Sequence, residues 1–273
     1  MLLPSYKKVS IGPELLSQLT SVAELAADAA AVQTLPKFRQ LIDIENKAQL
    51  GEFDPVTEAD KSAERVIKQT VLKHFPDHGF FGEESEQLIN TEQPLWVVDP
   101  IDGTRAFITG LPLWGTLIAV YDGEDVVLGL LDQPFLKERY IGTPDGTKLH
   151  TPNGVQQLQT RKNVSLEQAI AQTTTPDMFN LAEQREAFER VNSQVSMMRY
   201  GGDCYIYALL AMGFIDIVIE ANMQPYDIQA LIPIVQGSGG VVSNWQGESV
   251  VAGGTVLACA TDQLHQTVLA LLN

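Results

Sequence analysis

The run Leu95-Trp96-Val97-Val98 enters Asp99-Pro100-Ile101-Asp102-Gly103-Thr104 without a break. Four apolar residues in a row read as a short buried strand, which delivers Asp99 to its C-terminal end. Pro100 lacks an N–H and is expected to stop the sheet ladder there. Asp102 then falls on a turn, and Gly103 permits a backbone conformation closed to other residues. Two carboxylates on one turn repel each other unless a cation lies between them. Two readings of the pair are open at this point. The acids cap a turn, or they are hard oxygen ligands suited to Mg²⁺ rather than zinc. In the second reading the Gly103 and Thr104 amides face a phosphate if a helix starts there.

Helix and strand signals are mixed along the rest of the chain. Leu15–Val32 is Ala-rich, with apolar residues at helical spacing. A second helix is expected from Thr57 to His74, because Thr57-Glu58-Ala59-Asp60 resembles a capping box and Pro76 lies beyond the end. Gly115–Tyr121 and Asp125–Leu131 read as antiparallel strands joined by a hairpin at Asp122-Gly123, with Lys137–Gly142 as a third strand. Residues 145–164 are rich in Thr, Gly, Pro, Asn and Gln. They mark the expected divide between an N-terminal half, 1–150, and a C-terminal half, 151–273, working as one unit. Beyond it, helices are expected over Met178–Val191 and Asp203–Met212, and a strand over Phe214–Glu220. A helix from Tyr226, strands over Gly240–Ser243 and Thr255–Cys259, and a last helix over Asp262–Leu271 follow. Pro233 predicts a kink in the Tyr226 helix or a later start. The sum is a layered α/β (α+β) sandwich, with helices packed on sheets.

The 273 residues suffice for one large domain or two packed halves, and 45% apolar residues fit a real core. Lys and Arg total 18 against 34 Asp and Glu, a net charge of −16. Such a chain repels nucleic acid and anionic membranes and attracts cations, so neither is an expected partner. No run of about 18 apolar residues predicts a membrane span, and Met1–Ser21 has no long apolar stretch of the kind a secretory signal needs. Cys204 and Cys259 stand outside any C-x-x-C pattern and point to a reducing cytoplasm.

Further acidic clusters are Asp54-Pro55-Val56-Thr57-Glu58-Ala59-Asp60, Gly82-Glu83-Glu84-Ser85-Glu86 and Pro225-Tyr226-Asp227. Carboxylates from separate segments are what a two-metal phosphoryl-transfer site needs, with cations roughly 4 Å apart. Gly82-Glu83-Glu84-Ser85, Asp99 to Thr104 and Tyr226-Asp227, followed by Gly239-Gly240, resemble the signature set of the inositol monophosphatase family. The resemblance runs from residue 45 to residue 245, and its third block, commonly Trp-Asp in the family, is Tyr226-Asp227 here. Within the family the similarity is closer to the histidinol-phosphate phosphatases. It is carried by Asn46-Lys47-Ala48, Phe53 to Asp60, Thr104-Arg105-Ala106-Phe107, Gly110 to Ile118, Arg199-Tyr200-Gly201-Gly202-Asp203-Cys204-Tyr205 and Pro225 to Ile228.

The resemblance implies a layered fold, a phosphomonoesterase with two or three Mg²⁺ per active site, and a homodimer. Glu83, Asp99 and the Ile101 carbonyl would share one ion. Asp99 would bridge to a second, held by Asp102 and Asp227. The nucleophile would be a water whose pKa the cation lowers. Thr104 and Asp60 match the pair that orients this water: Asp60 accepts the Thr104 hydroxyl proton, Thr104 accepts from the water, and Glu83 assists as base. Asp60 also fits a helix N3 carboxylate satisfying free amides, and the two roles are compatible. The Gly103 and Thr104 amides, beside Asp102, would hold the phosphate.

Glu220 ends its strand where the family places a contact to the non-phosphate part of the substrate. L-Histidinol phosphate offers an ammonium and an imidazole, for which Glu220 or Asp203 is a fitting partner. Inositol offers hydroxyls, which a carboxylate also accepts. Arg199 either reaches the substrate or pairs with Asp203. Lys47 is either a loop cation near the phosphate or a surface lysine. Glu84 is expected to act through hydrogen bonds around the ligands, and Glu86 to be solvated. Cys204 reads as a buried apolar residue rather than a nucleophile, and Trp114 as core more than pocket lining. His74 and His78 read as surface or cap residues, since Pro76 breaks the helix face a zinc pair would need. The expected reaction is hydrolysis of L-histidinol phosphate to L-histidinol and phosphate, a step of histidine biosynthesis. Inositol 1-phosphate or another small phosphomonoester is the alternative substrate. A catalytically silent phosphometabolite-binding protein is the alternative class.

Overall fold

A computed structural model describes residues 4, 6–41, 45–46 and 55–273. Lys47, Ala48, Phe53 and Asp54, singled out above, lie outside them. Along the first part of the chain run α1 (Pro13–Thr34), β1 (Glu45–Asn46), β2 (Pro55–Val56), α2 (Glu58–His74), β3 (Gly79–Gly82), β4 (Leu95–Asp102) and α3 (Thr104–Ile108). Next come β5 (Gly115–Tyr121), β6 (Val126–Gln133), β7 (Glu138–Thr143), β8 (Gly146–Thr151), β9 (Gly154–Gln157) and β10 (Ile170–Thr173). The remainder holds α4 (Ala182–Asn192), β11 (Met197–Tyr200), α5 (Tyr205–Ala211), β12 (Ile217–Met223), α6 (Pro225–Ile228), α7 (Leu231–Gly237), β13 (Val241–Ser243), β14 (Gly254–Cys259) and α8 (Asp262–Leu272).

Two larger sheets organise these elements. The first has the order β3-β4-β5-β6-β7-β8-β9 and is antiparallel except that β3 runs parallel to β4. The second has the order β11-β10-β12-β14-β13, with β10 parallel to both of its neighbours. Side-chain alternation along β4 shows why four apolar residues stand in a row. Trp96 and Val98 join Phe80, Ile118 and Val120 in a core with α1 and α2. Leu95 and Val97 face the opposite way, into a core filled by α5, α7 and Val218, Val256 and Ala258 of the second sheet. The far side of that sheet, with Ile217, Ile219 and Leu257, packs on α4 and α8. The layers therefore run helix, sheet, helix, sheet, helix, as a layered α/β sandwich requires. Each fully buried large side chain in β4 contributes roughly 1.5–3 kcal/mol of burial free energy.

Helix α1 is long and apolar enough, by length and composition, to cross a membrane. Its buried stripe of Leu19, Val22, Ala23, Ala26, Ala27 and Ala30 is nevertheless seated on α2 and the first sheet. Asp28 on its outer side pairs with Arg139 of β7 at 2.7 Å.

Several elements differ from expectation for local reasons. Residues 145–164 carry β8 and β9, so the first sheet continues to Gln157. The helix expected from Met178 begins at Ala182, after a single turn over Pro176–Met178. The strand expected over Phe214–Glu220 is shifted to Ile217–Met223, and Phe214 stays exposed. The Tyr226 helix divides into α6 and α7, and Pro233 sits in the first turn of α7, where a missing N–H costs nothing. The Asp122-Gly123 hairpin forms as expected. Gly123 has φ 104°, and Asp122 Oδ1 accepts the N–H groups of Glu124 and Asp125.

Candidate active site

Strand β4 does not end at Pro100. Its pairing with β5 shifts by one residue between Asp99 and Asp102, a β-bulge, and then resumes at Asp102 opposite Gly115. The proline thus bends the strand instead of stopping it. Ile101 is fully buried, and its N–H donates to Asp99 Oδ1 at 3.0 Å. Asp102 emerges at the cavity wall, where the Cys204 N–H donates to its Oδ2 at 2.7 Å. Gly103 follows in the left-handed region, φ 81°, and caps α3.

Asp227 arrives from the C-terminal half, in the first turn of α6, and the Gln224 N–H donates to it at 2.7 Å. Carboxylate oxygens of Asp99, Asp102 and Asp227 all lie within 4.8 Å of one another. Glu83, just past β3, is a hydrogen-bonding neighbour of Asp99. The parallel register of β3 on β4, with Gly82 opposite Val98, brings Glu83 and Asp99 out at the same end of the sheet. Burial, then repulsion from Glu83, Asp102 and Asp227, pushes the Asp99 carboxyl well above the usual carboxylate range. Burial, then Asp203 and Asp227, does the same to Asp102, against the Cys204 N–H. A hard divalent cation between these oxygens would remove the repulsion, and every donor is an oxygen, so the residues present fit such an ion.

Asp60 occupies the N3 position of α2 and completes a capping box with Thr57. Its Oδ2 accepts the Thr57 N–H at 2.8 Å and the Thr57 hydroxyl at 2.5 Å. Its Oδ1 stands 3.5 Å from the Thr104 hydroxyl, which also lies 3.1 Å from the Ile101 carbonyl. The capping role and the approach to Thr104 therefore coexist in one side chain.

The four acidic groups open into a cavity of about 920 Å³. Asp203, beside Asp102 and Gly103, and Glu220 also line it. Glu220 is 1% exposed. Its Oε1 accepts the Thr174 hydroxyl at 2.5 Å and the Thr174 N–H at 3.2 Å, and its Oε2 accepts the Tyr207 hydroxyl at 2.8 Å. Burial nonetheless pushes its carboxyl up to about 7. Asp203 has φ 45°, and burial raises it to about 6 against the pull of Arg105.

The structure does not bring Arg199 to this cavity. It lies exposed on the edge strand β11. Gly201 (φ 90°) and Gly202 (φ 120°) turn the chain between it and Asp203, whose basic neighbour is Arg105. His78 is buried instead of lying at the surface. Its ring accepts the Trp96 Nε1–H at 3.0 Å, and burial pushes its pKa down to about 4. Trp114 is fully buried against Phe38 and Phe107, and Cys204 is 2% exposed, both as core residues. Glu86 is exposed, and the Glu84 N–H donates to Glu64.

Sequence reasoning quoted Arg105 only within a motif and gave it no role, and it passed over Thr174 and Tyr207 near the cavity and Glu64 behind it. Glu64 had a signal: an acid four residues after Asp60, on the buried face of α2. Tyr207 had none, because a tyrosine in an apolar helix reads as core.

The sequence profile of the inositol monophosphatase family matches residues 15–273. The chloroplastic bifunctional phosphatase IMPL2 of Arabidopsis thaliana is 39% identical over 269 residues, 94% of this chain and 75% of that one. A histidinol-phosphatase of Chlorobaculum parvum is 31% identical over 218 residues, 80% of this chain and 83% of that one. The solved structure of an inositol monophosphatase from Zymomonas mobilis is 36% identical, with a TM-score of 0.83 over 94% of this chain and 98% of that one. Together with the layered fold and the acidic cleft, these likenesses define a metal-dependent phosphatase. The chain belongs to the inositol monophosphatase family.

Proposed function

We propose that this phosphatase hydrolyses L-histidinol phosphate to L-histidinol and phosphate. The observation that carries the reading is the acidic lining of the cavity beyond the three clustered carboxylates, where Asp203 stands beside Asp102 and Gly103 and the buried Glu220 adds a second carboxyl. A substrate with a phosphate at one end and an ammonium and imidazole at the other is complementary to such a cavity. The likeness to a histidinol-phosphatase from Chlorobaculum parvum supports the same reading.

In the proposed arrangement Glu83, Asp99 and the Ile101 carbonyl would hold one Mg²⁺, and Asp99, Asp102 and Asp227 would hold another. Bound there, the cations supply a Lewis acid for the phosphate and lower the pKa of a water. Asp60 accepts from the Thr104 hydroxyl, which leaves the Thr104 oxygen to accept from that water and orient it. Glu83 would assist as base toward that water. The Gly103 and Thr104 amides, beside Asp102, hold the phosphate oxygens. Residues 1–150 supply Glu83, Asp99 and Asp102, and residues 151–273 supply Asp227, Asp203 and Glu220, so the halves act as one unit. A homodimer in the cytoplasm completes the proposal.

Inositol 1-phosphate is the second reading, because carboxylates also accept hydroxyls and the Zymomonas mobilis relative is an inositol monophosphatase. Phosphate release in Mg²⁺ from the two substrates, at equal subsaturating concentration, decides between them. Preference for histidinol phosphate is expected. Preference for inositol phosphate would retain the metal site and discard the substrate, and release from neither would favour a silent binding protein.

A further inference from the structure

Asp60 and Glu64 lie one helical turn apart on α2, and both are buried. Asp60 reaches Thr104. Glu64 reaches the Gly82–Glu84 turn, where its Oε2 accepts the Glu84 N–H at 2.6 Å. Its Oε1 is buried with no hydrogen-bond partner. The Glu83 N–H donates to the Val98 carbonyl at 3.2 Å, so the turn bearing Glu83 is tied to β4 on one side and to α2 on the other. Gly82 makes the approach possible, because a Cβ there would collide with the Glu64 carboxylate.

This carboxylate has a cost. An apolar side chain at position 64 would match its neighbours Ala63 and Ile67 and avoid desolvating a charge. It would also leave the Glu84 N–H without its acceptor. We infer that Glu64 is a positioning residue: by holding the Glu84 N–H it fixes the Gly82–Glu84 turn, so that the Glu83 carboxylate stands beside Asp99. One face of one helix then sets two parts of the site, Thr104 through Asp60 and Glu83 through Glu64. The inference rests on the reading of Glu83 as a metal ligand.

Reach and charge can be separated at position 64. Glu64→Gln keeps an acceptor oxygen at the same reach and removes the charge. Glu64→Asp keeps the charge and falls one methylene short. The measurement is direct Mn²⁺ binding to the full chain, by calorimetry and by the electron paramagnetic resonance signal of free Mn²⁺. Metal-free thermal melting checks each fold. Glu64→Asp is expected to weaken Mn²⁺ binding about 10- to 100-fold, and Glu64→Gln to stay within about threefold of wild type. Wild-type binding by Glu64→Asp overturns the inference. So does a Glu64→Gln as weak as Glu64→Asp, because charge rather than reach would then matter. If Glu64→Asp does not fold, Glu64→Leu takes its place: it removes the acceptor of the Glu84 N–H, is expected to weaken Mn²⁺ binding about 10- to 100-fold, and wild-type binding by it overturns the inference. Glu83→Gln separates this inference from the reading beneath it. If Glu83→Gln binds Mn²⁺ like wild type, Glu83 is no ligand and both fall. If Glu83→Gln binds weakly while Glu64→Asp binds normally, only the role of Glu64 falls.

Discussion

The Tyr207 hydroxyl donates to Glu220 Oε2 at 2.8 Å, inside a helix–strand contact that excludes water from both groups. With Thr174 on the other oxygen, the Glu220 carboxylate accepts three hydrogen bonds and is still held up to about 7 by burial. A carboxyl whose folded pKa exceeds its unfolded value binds more protons when folded. Its contribution to stability is therefore favourable at low pH and is lost as pH rises from 4.5 towards 7. At pH 8 the penalty is about 3 kcal/mol. Metal-free Glu220→Gln is expected to gain stability over wild type at pH 8 and to match it near pH 4. Equal melting differences at both pH values would remove the buried charge from this account.

Glu220→Gln also bears on the substrate. Loss of the negative charge is expected to raise KM for histidinol phosphate about tenfold or more, with kcat changing less. An unchanged KM would take Glu220 out of recognition.

Asp102→Asn removes one of three carboxylates that share a site within 4.8 Å. Its amide oxygen can still accept the Cys204 N–H. Turnover is expected to fall by about a thousandfold or more, while the metal-free variant melts no lower than wild type because a buried repulsion is gone. Activity like that of wild type would sink the two-metal assignment.

Asp60→Asn and Thr104→Ser test the water-orienting pair. Asp60→Asn is expected to cost about 100-fold in kcat with KM little changed, and about 1 kcal/mol of stability through the weakened cap. Thr104→Ser keeps the hydroxyl and should stay near wild type. A fall in stability with kcat intact would leave Asp60 as a capping residue alone.

Chelation should destabilise the protein more at pH 8 than at pH 5. Burial and repulsion among their neighbours raise both Asp99 and Asp102, so ionising them costs the metal-free protein stability and that cost grows with pH. Returning Mg²⁺ to 100 times its dissociation constant should restore about 2.7 kcal/mol. A melting temperature indifferent to chelation at pH 8 would argue against an ion among these carboxylates.

The metal-ligand candidates were readable because each is attached to a local rule: a carboxylate after an apolar strand, a capping box, an acid at a helix start. Asp99 and Asp227, the extremes of the trio, stand 128 positions apart in sequence, and only the acidic motifs announced them. The bulge at Pro100 was not readable, since the ladder resumes at Asp102 only because Gly115 lies opposite. β8 and β9 were hidden by turn-forming residues, as hairpin strands near a sheet edge often are. Arg199 and Asp203 are four positions apart in sequence, and two glycines with positive φ separate them in space. Position in a motif could not reveal that. His78 failed for a similar reason: a hydrophilic residue beside Pro76 gives no sign that Trp96 donates to it.

The cluster draws on both sheets, and this fixes when it can come into being. A nascent chain that has completed β9 already contains the β3–β4 end with Glu83, Asp99 and Asp102. It lacks Asp227, because α6 follows β12 and β12 needs β10 and β14 beside it. Until the second sheet closes over the first, the emerging polypeptide carries a partial nest of like charges with nothing to complete it. A chain cut short before α6 therefore lacks one of the three clustered carboxylates, and the cluster exists only where both sheets have formed.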